Sequence, residues 1–308
     1  MSKLYIIGNG FDLAHNRKTK YTDFAKFLKS SNNTKIQLII KKFEEKAFFA
    51  FDYYMEKNGQ LWSDIEHALD LMFQPEIIQD ELEEYRKLNV SYGDDDFRSR
   101  DYHNQEIAID EDYSFCRTFK KYLPKWVNFI HQTPCLPLYD TPFSSSDKFL
   151  CFNYTNTLEK TYNIHPQQIL YIHGKWSEEN LIIGHNTFYE FPKQTEDDIY
   201  EDIAGIRAFE TVQNNVYKDV KHRISNSHEF FDNLISTDTI YVLGHSISDI
   251  DIDYFRAVKQ NANSNAKWVV SFYGDDDKEI KKNKLQQLEI PDSNFELATI
   301  EQILSPLE

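Results

Sequence analysis

The chain has 308 residues, and 34 Lys+Arg against 50 Asp+Glu give it a formal net charge of -16. A surface this acidic repels polyanions, and basic residues cluster only as pairs such as Lys41-Lys42 and Lys281-Lys282, which disfavours nucleic acid as the main partner. Hydrophobic residues make up 41% and charged residues 27%, which excludes global disorder and can fill one large core or two modest ones.

The chain opens on Leu4-Tyr5-Ile6-Ile7, a short apolar run that reads as a strand buried on both faces and closed by Gly8. A helix is expected over 21–29. From 30 to 146 the pattern is helical, over 36–57, 62–73, 76–88 and 113–132, the last interrupted at Pro124. A polar loop over 91–105 separates two of these helices. Strands resume at 148–152 and recur over 169–173, 181–183, 240–243 and 268–273. Of only 9 glycines in the chain, Gly8, Gly174, Gly184, Gly244 and Gly274 each close one of these runs. The stretch 186–201 is polar and aromatic without a clear period, and is expected to be a flap over the strand ends. This rhythm predicts an α/β domain made of 1–29 and 147–308, with a parallel sheet flanked by helices, and a mainly helical insertion over 30–146.

No uncharged apolar stretch approaches the roughly 18 to 20 residues that cross a membrane, and the first residues lack the apolar core of a signal peptide. A cytoplasmic protein without membrane contact is expected. The three cysteines, Cys116, Cys135 and Cys151, form no close pair, so neither a disulfide framework nor a cysteine zinc site is indicated.

In parallel α/β sheets ligands bind beyond the carboxyl ends of the strands, so the strand ends hold the candidate chemistry. Gly8-Asn9-Gly10 is a Gly-x-Gly turn whose amides can face a phosphate. The third glycine of the dinucleotide fingerprint is replaced by Leu13, which argues against an ordinary dehydrogenase, and no P-loop string occurs. Asn153, after the 148–152 strand, can bond sugar hydroxyls or a water; equally, it can cap the helix that follows. His173 can serve as a general base near neutral pH, or as a structural strand-end residue. Gly244-His245-Ser246 can offer amides and a hydroxyl to phosphate or ribose, and Asp249 can pair with sugar hydroxyls or cap a helix. Asp249, Asp251 and Asp253 alternate as in a calcium loop, but such a loop needs glycine at Tyr254 and glutamate at Gln260. A Mg²⁺ role for these aspartates stays open beside that of a solvated turn. His15, His173, His185 and His245 come from four separate segments without local spacing for a metal, so no metal is expected. Trp62 and Glu66, four apart on one helix face, either roof the ligand cleft or pair a core tryptophan with a surface glutamate.

Taken together, 4–15, 62–69, 152–159, 171–174 and 241–251 resemble the AbiH family of bacteriophage abortive-infection proteins, most strongly in Gly8-Asn9-Gly10-Phe11-Asp12-Leu13-Ala14-His15. The family is in turn similar to the sirtuin-like NAD-binding fold, a Rossmann-like sheet, through Asn153-Tyr154, His173-Gly174 and Gly244-His245-Ser246. This chain departs from the sirtuin-like pattern at Thr155, where an aspartate would stand, and at Asn16-Arg17-Lys18. The deacetylase zinc quartet is impossible with three cysteines. The resemblance implies an antiphage defence protein that binds NAD⁺ and hydrolyses its nicotinamide–ribose bond, with no further cofactor, or alternatively a nucleotide sensor without turnover. It implies pyrophosphate contacts from Gly8, Asn9, Gly10 and Ser246, with Phe11, His15, Gly244, His245 and Asp249 completing the nucleotide site. Asn153 would hold ribose and water, His173 would act as base, and Asp12 would stabilise the developing cation. A phage-derived trigger protein and a second copy of the chain are the partners such a role allows.

Overall fold

A computed structural model describes residues 2–55, 61–87, 104–190 and 200–306. The chain packs as two compact units, one of 1–20, 124–181 and 219–308, the other of 21–123 and 182–218. The second unit therefore takes 21–29 and 182–218, which the sequence pattern had grouped with the α/β domain, and leaves 124–146 to the first.

The first unit carries strands β1 (Ser2–Ile7), β2 (Tyr139–Asp140), β3 (Lys148–Cys151), β4 (Ile169–Tyr171), β5 (Thr237–Leu243), β6 (Lys267–Ser271), β7 (Phe295–Ala298) and β8 (Ser305–Pro306). Six of them form one sheet in the order β4-β3-β1-β5-β6-β7, and β2 pairs with β8. Every pairing in the large sheet is parallel. Counted along the chain, its strands run 3-2-1-4-5-6, so the direction of winding reverses between β1 and β5.

The unbroken apolar run of β1 follows from burial on both faces. Leu4 and Ile6 pack with Leu150, Ile240 and Val242 under Phe255 and Val258 of the helix Ile252–Asn261. Tyr5 and Ile7 point the other way, to Phe149, Cys151 and Leu243, where Phe11 of the helix Asn9–Ala14 covers them. Full burial stabilises by about 1.5–3 kcal/mol per large aliphatic side chain, which fixes the strand in register, because a one-residue slip would exchange the two sets. That register sets Tyr171, Cys151, Ile7 and Leu243 side by side as the last residues of β4, β3, β1 and β5.

Two strand expectations need correction. Residues 181–183 join no strand: Leu181 and Ile183 are buried, but the backbone leads into Gly184, whose φ of 145° lets it pass against the Val216 carbonyl. Conversely, β7 was not anticipated, because Phe295–Ala298 is only partly buried and includes an exposed glutamate, Glu296.

Among the described residues the second unit is helical, with Tyr21–Lys29, Thr34–Tyr53, Ile65–Met72, Pro75–Arg86, Asn104–Asp112 and Tyr200–Gln213. The helix Ser114–Ile130 continues through Pro124, where the boundary between units falls. An aromatic core of Phe43, Trp62, Phe115 and Phe119 holds the unit's helices together through edge and tilted ring contacts. Of the expected polar loop, 91–103 lies outside the described residues, as does 191–199 of the expected flap. The preceding Tyr189 is held in place: its backbone exchanges hydrogen bonds with the Gln213 side chain, and its hydroxyl donates to Asp70. No helix among the described residues is long and apolar enough to cross a membrane.

Candidate functional site

Gly8, Asn153, His173 and Gly244 follow four strands that are neighbours in one parallel sheet, so all four stand along its carboxyl edge. At the reversal between β1 and β5 the two glycine turns interlock. Gly8 N–H donates to the Leu243 carbonyl at 2.9 Å, Gly10 N–H to the Gly244 carbonyl at 2.7 Å, and Phe11 N–H to the Gly8 carbonyl at 3.0 Å. A Cβ on Gly8 would stand 2.5 Å from His245 Cα, and one on Gly244 would stand 2.1 Å from the Phe11 nitrogen. Gly244 also adopts φ 66°, a region that costs other residues about 1–2 kcal/mol. These glycines thus let two backbones touch, and the amides of Gly8 and Gly10 are spent on that contact rather than on a phosphate. Asn9, by contrast, is exposed, its amide donating to the Thr19 carbonyl at 3.1 Å.

The helix Asn9–Ala14 turns its other expected site residues inward. Phe11 lies in the core. His15 is buried, with Nδ1 2.7 Å from the Phe11 carbonyl and Nε2 2.5 Å from the Tyr162 hydroxyl; burial lowers its pKa, with the Phe11 carbonyl opposing. Asp12 is fully buried and accepts hydrogen bonds from Thr157 at 2.5 Å and Thr155 at 2.6 Å. Burial raises its pKa against those two hydroxyls and the nearby Arg17. The group expected to stabilise a developing cation is therefore enclosed and anchors the 155–157 turn to the first helix. Thr155, where the sirtuin-like pattern has an aspartate, supplies one of those anchors.

Asn153 is not a helix cap. It is buried, and its Nδ2 donates to the Gly8 carbonyl at 3.0 Å, joining the end of β3 to the turn after β1; among the described residues its Oδ1 has no protein partner. The turn behind it leads into the π-helix Thr157–Thr161, whose N-cap is Asn156.

His173 and His245 flank one carboxylate. His173 Nε2 lies 3.7 Å from Asp251 Oδ1, and His245 Nε2 lies 3.6 Å from Asp251 Oδ2, with all three residues buried. Phe152 stands against both imidazoles, its ring centroid 5.6 Å from that of His173 and 4.2 Å from that of His245. His245 Nδ1 accepts from Ile247 N–H at 2.9 Å, which puts the proton of the neutral ring on Nε2, facing Asp251. Ile247 itself holds φ 56°, rare for a β-branched residue, so this turn stores strain beside the site. Asp251 is the residue that sequence reasoning passed over, as one of three alternating aspartates. A signal existed in its place immediately before the helix Ile252–Asn261, where a carboxylate that does not cap is free to turn elsewhere.

Ser246 and Asp249 are exposed, and Asp249 pairs with Lys284 at 2.5 Å. In the second unit, Trp62 is buried and donates to Glu44 at 2.8 Å, while Glu66 accepts from Lys218 at 2.6 Å and Tyr21 at 2.9 Å. Lys218 is almost fully buried and lies beside His185, whose amide bonds the Val216 carbonyl. Among the described residues no group of three or more His, Cys, Asp and Glu side chains is arranged to hold a metal ion.

The first unit is thus of the open parallel α/β class, with polar side chains gathered at the edge where its winding reverses. The family model described as "Bacteriophage abortive infection AbiH" matches residues 4–272, and the chain belongs to that family, which indicates a role in abortive-infection defence against bacteriophage. Comparison with curated proteins gave no match.

Proposed function

We propose that the chain binds a nucleotide at the carboxyl edge of its sheet and hydrolyses NAD⁺ at the nicotinamide–ribose bond during phage infection, in the cytoplasm. The order 3-2-1-4-5-6 is that of doubly wound dinucleotide-binding sheets, whose ligand lies where the winding reverses, and the sirtuin-like reading of Asn153-Tyr154 and His173-Gly174 belongs to the same architecture. The observation that carries the reaction is His173 beside Asp251, one strand away from Asn153. A carboxylate behind an imidazole fixes its orientation and stabilises the imidazolium that forms when it takes a proton.

In this reaction the bond from ribose C1′ to the pyridinium nitrogen breaks, and its electron pair leaves with neutral nicotinamide. Water adds to C1′, and its proton passes to His173. Asn153 Oδ1 accepts from a ribose hydroxyl or from the water, while Asn9 and Ser246 contribute side chains toward the phosphates. Asp12, enclosed by Thr155 and Thr157, acts by holding the turn that carries Asn153. A second reading, nucleotide sensing without turnover, draws on the burial of His173 and on Asp251 being shared with His245. Cells expressing the protein should lose NAD⁺ and accumulate free nicotinamide after infection, while cells carrying His173→Ala should keep their NAD⁺. Protection from phage with undiminished NAD⁺ would favour the sensor instead.

A further inference from the structure

Arg17 is a charged side chain that the site described above leaves without a task. It is only 9% exposed. Its Nη1 donates to Thr157 Oγ1 at 3.2 Å and to Asn156 Oδ1 at 3.5 Å, both neutral oxygens. Among the described residues no carboxylate lies within ion-pairing distance, and Nε and Nη2 have no acceptor. Asp12 is linked to it through Thr157, whose hydroxyl donates to Asp12 Oδ1 while accepting from Arg17. His131, on the same side, is held neutral well below physiological pH by burial and by the guanidinium itself, and gives a hydrogen-bond acceptor to Asn156 N–H at 3.3 Å.

The two nitrogens without an acceptor are not sealed from solvent, so an anion can replace the water there and complete the hydrogen bonding of a guanidinium whose remainder is buried. The free nitrogens form the fork that matches two oxygens of one phosphate. Arg17 lies in the segment that follows the first helix, tied to the 156–157 turn after β3, so it stands at the same carboxyl edge as Asn153. The Gly8 and Gly10 amides are occupied there. We infer that Arg17 is an anion-binding residue that receives a phosphate of the bound nucleotide, in place of the glycine-turn amides. The chemistry recognised is phosphate, whether free or carried by a nucleotide, and its assignment to the nucleotide rests on the function proposed above.

The experiment is calorimetric titration of the full chain with inorganic pyrophosphate and with ADP-ribose, comparing wild type, Arg17→Lys and Arg17→Gln. Loss of a charge-assisted fork corresponds to weakening by about 10- to 100-fold for Arg17→Gln, with Arg17→Lys in between because it keeps the charge without the fork. Asp12→Asn/Arg17→Gln removes both buried charges together, so it replaces the single variant if that one fails to fold. Equal weakening for both ligands would mean that Arg17 reads phosphate alone; greater weakening for ADP-ribose would place the nucleotide there. Arg17-dependent binding without nicotinamide release would keep this site while removing the hydrolase. Binding of both ligands within twofold of wild type in the variants, or no binding by wild type at millimolar concentration, would overturn it.

Discussion

Gly244 and Gly274 provide a matched pair for the claim that the β1 and β5 turns are locked by backbone contact. Both hold positive φ, 66° and 80°, so alanine at either is strained, by about 1–2 kcal/mol at Gly244 and by about 1–3 kcal/mol at Gly274, whose ψ of 165° puts it in a region that is essentially glycine's alone. Only at Gly244 does the new methyl meet anything: the Phe11 nitrogen at 2.1 Å and the Gly10 carbon at 2.4 Å, whereas nothing lies within 4 Å at Gly274. Those are backbone atoms of a buried turn and cannot swing aside as a flexible side chain would. Relieving the overlap adds about 1–3 kcal/mol, and separating the turns sacrifices the Gly10 N–H to Gly244 bond, worth about 1 kcal/mol. Gly244→Ala should therefore destabilise by about 3–6 kcal/mol and Gly274→Ala by about 1–3 kcal/mol, read from urea unfolding followed by circular dichroism. Because the shift passes through Gly10 to the carbonyl of Gly8 that Asn153 holds, Gly244→Ala should also weaken ADP-ribose binding. Equal destabilisation by the two substitutions would refute the interlock.

In the second unit, burial lowers the His185 pKa from its ordinary 6.5 to about 4, so its neutral ring supports the fold fully above pH 6.5 and that support is lost as pH falls toward 4, about 3 kcal/mol in all. Neighbouring Asp70, raised by burial, takes up its proton earlier in the folded state and offsets part of this loss, so His185→Phe should flatten the acid limb of the stability curve and Asp70→Asn should steepen it. An unchanged slope between wild type and variant, measured by urea midpoint against pH, would contradict the buried neutral ring. Lys218→Met strands the partly buried Glu66 carboxylate and should destabilise by about 3–5 kcal/mol, while Lys218→Met/Glu66→Leu should recover much of that loss. Additive losses in the double variant, judged by the same unfolding assay, would show that the two charges do not act as a pair.

How far the sequence reveals this arrangement depends on the kind of residue. Strand ends were legible because a run buried on both faces is continuously apolar and must stop where the chain turns, as at Ile7-Gly8 and Leu243-Gly244. The same rule misled at Leu181-Ile182-Ile183, where Leu181 and Ile183 are buried although the run joins no sheet, since burial alone produces the same apolar string. The inward turn of Phe11 and His15, four residues apart on one short helix, was readable as a core stripe but was obscured by their neighbours in a glycine-rich string. Arg17 and Asp251 were not legible. Each is buried by partners distant in sequence, Thr157 for one and His173 for the other, and a charged residue beside Lys18 or between two further aspartates looks like solvated surface until the fold brings those partners in.

The central claim is that Asn153 and His173 act on a bound NAD⁺, and nicotinamide release by purified wild type, Asn153→Ala and His173→Ala, each melted from the same sample, tests it most directly. The wild type should release nicotinamide, with phage lysate supplied if a trigger is needed. Each variant should lose about 10²-fold or more in turnover. The melts should fall only modestly, since Asn153 gives up one hydrogen bond to Gly8, worth about 1 kcal/mol. Turnover per folded molecule equal to wild type in both variants, or no release from wild type with the trigger present, would contradict the account.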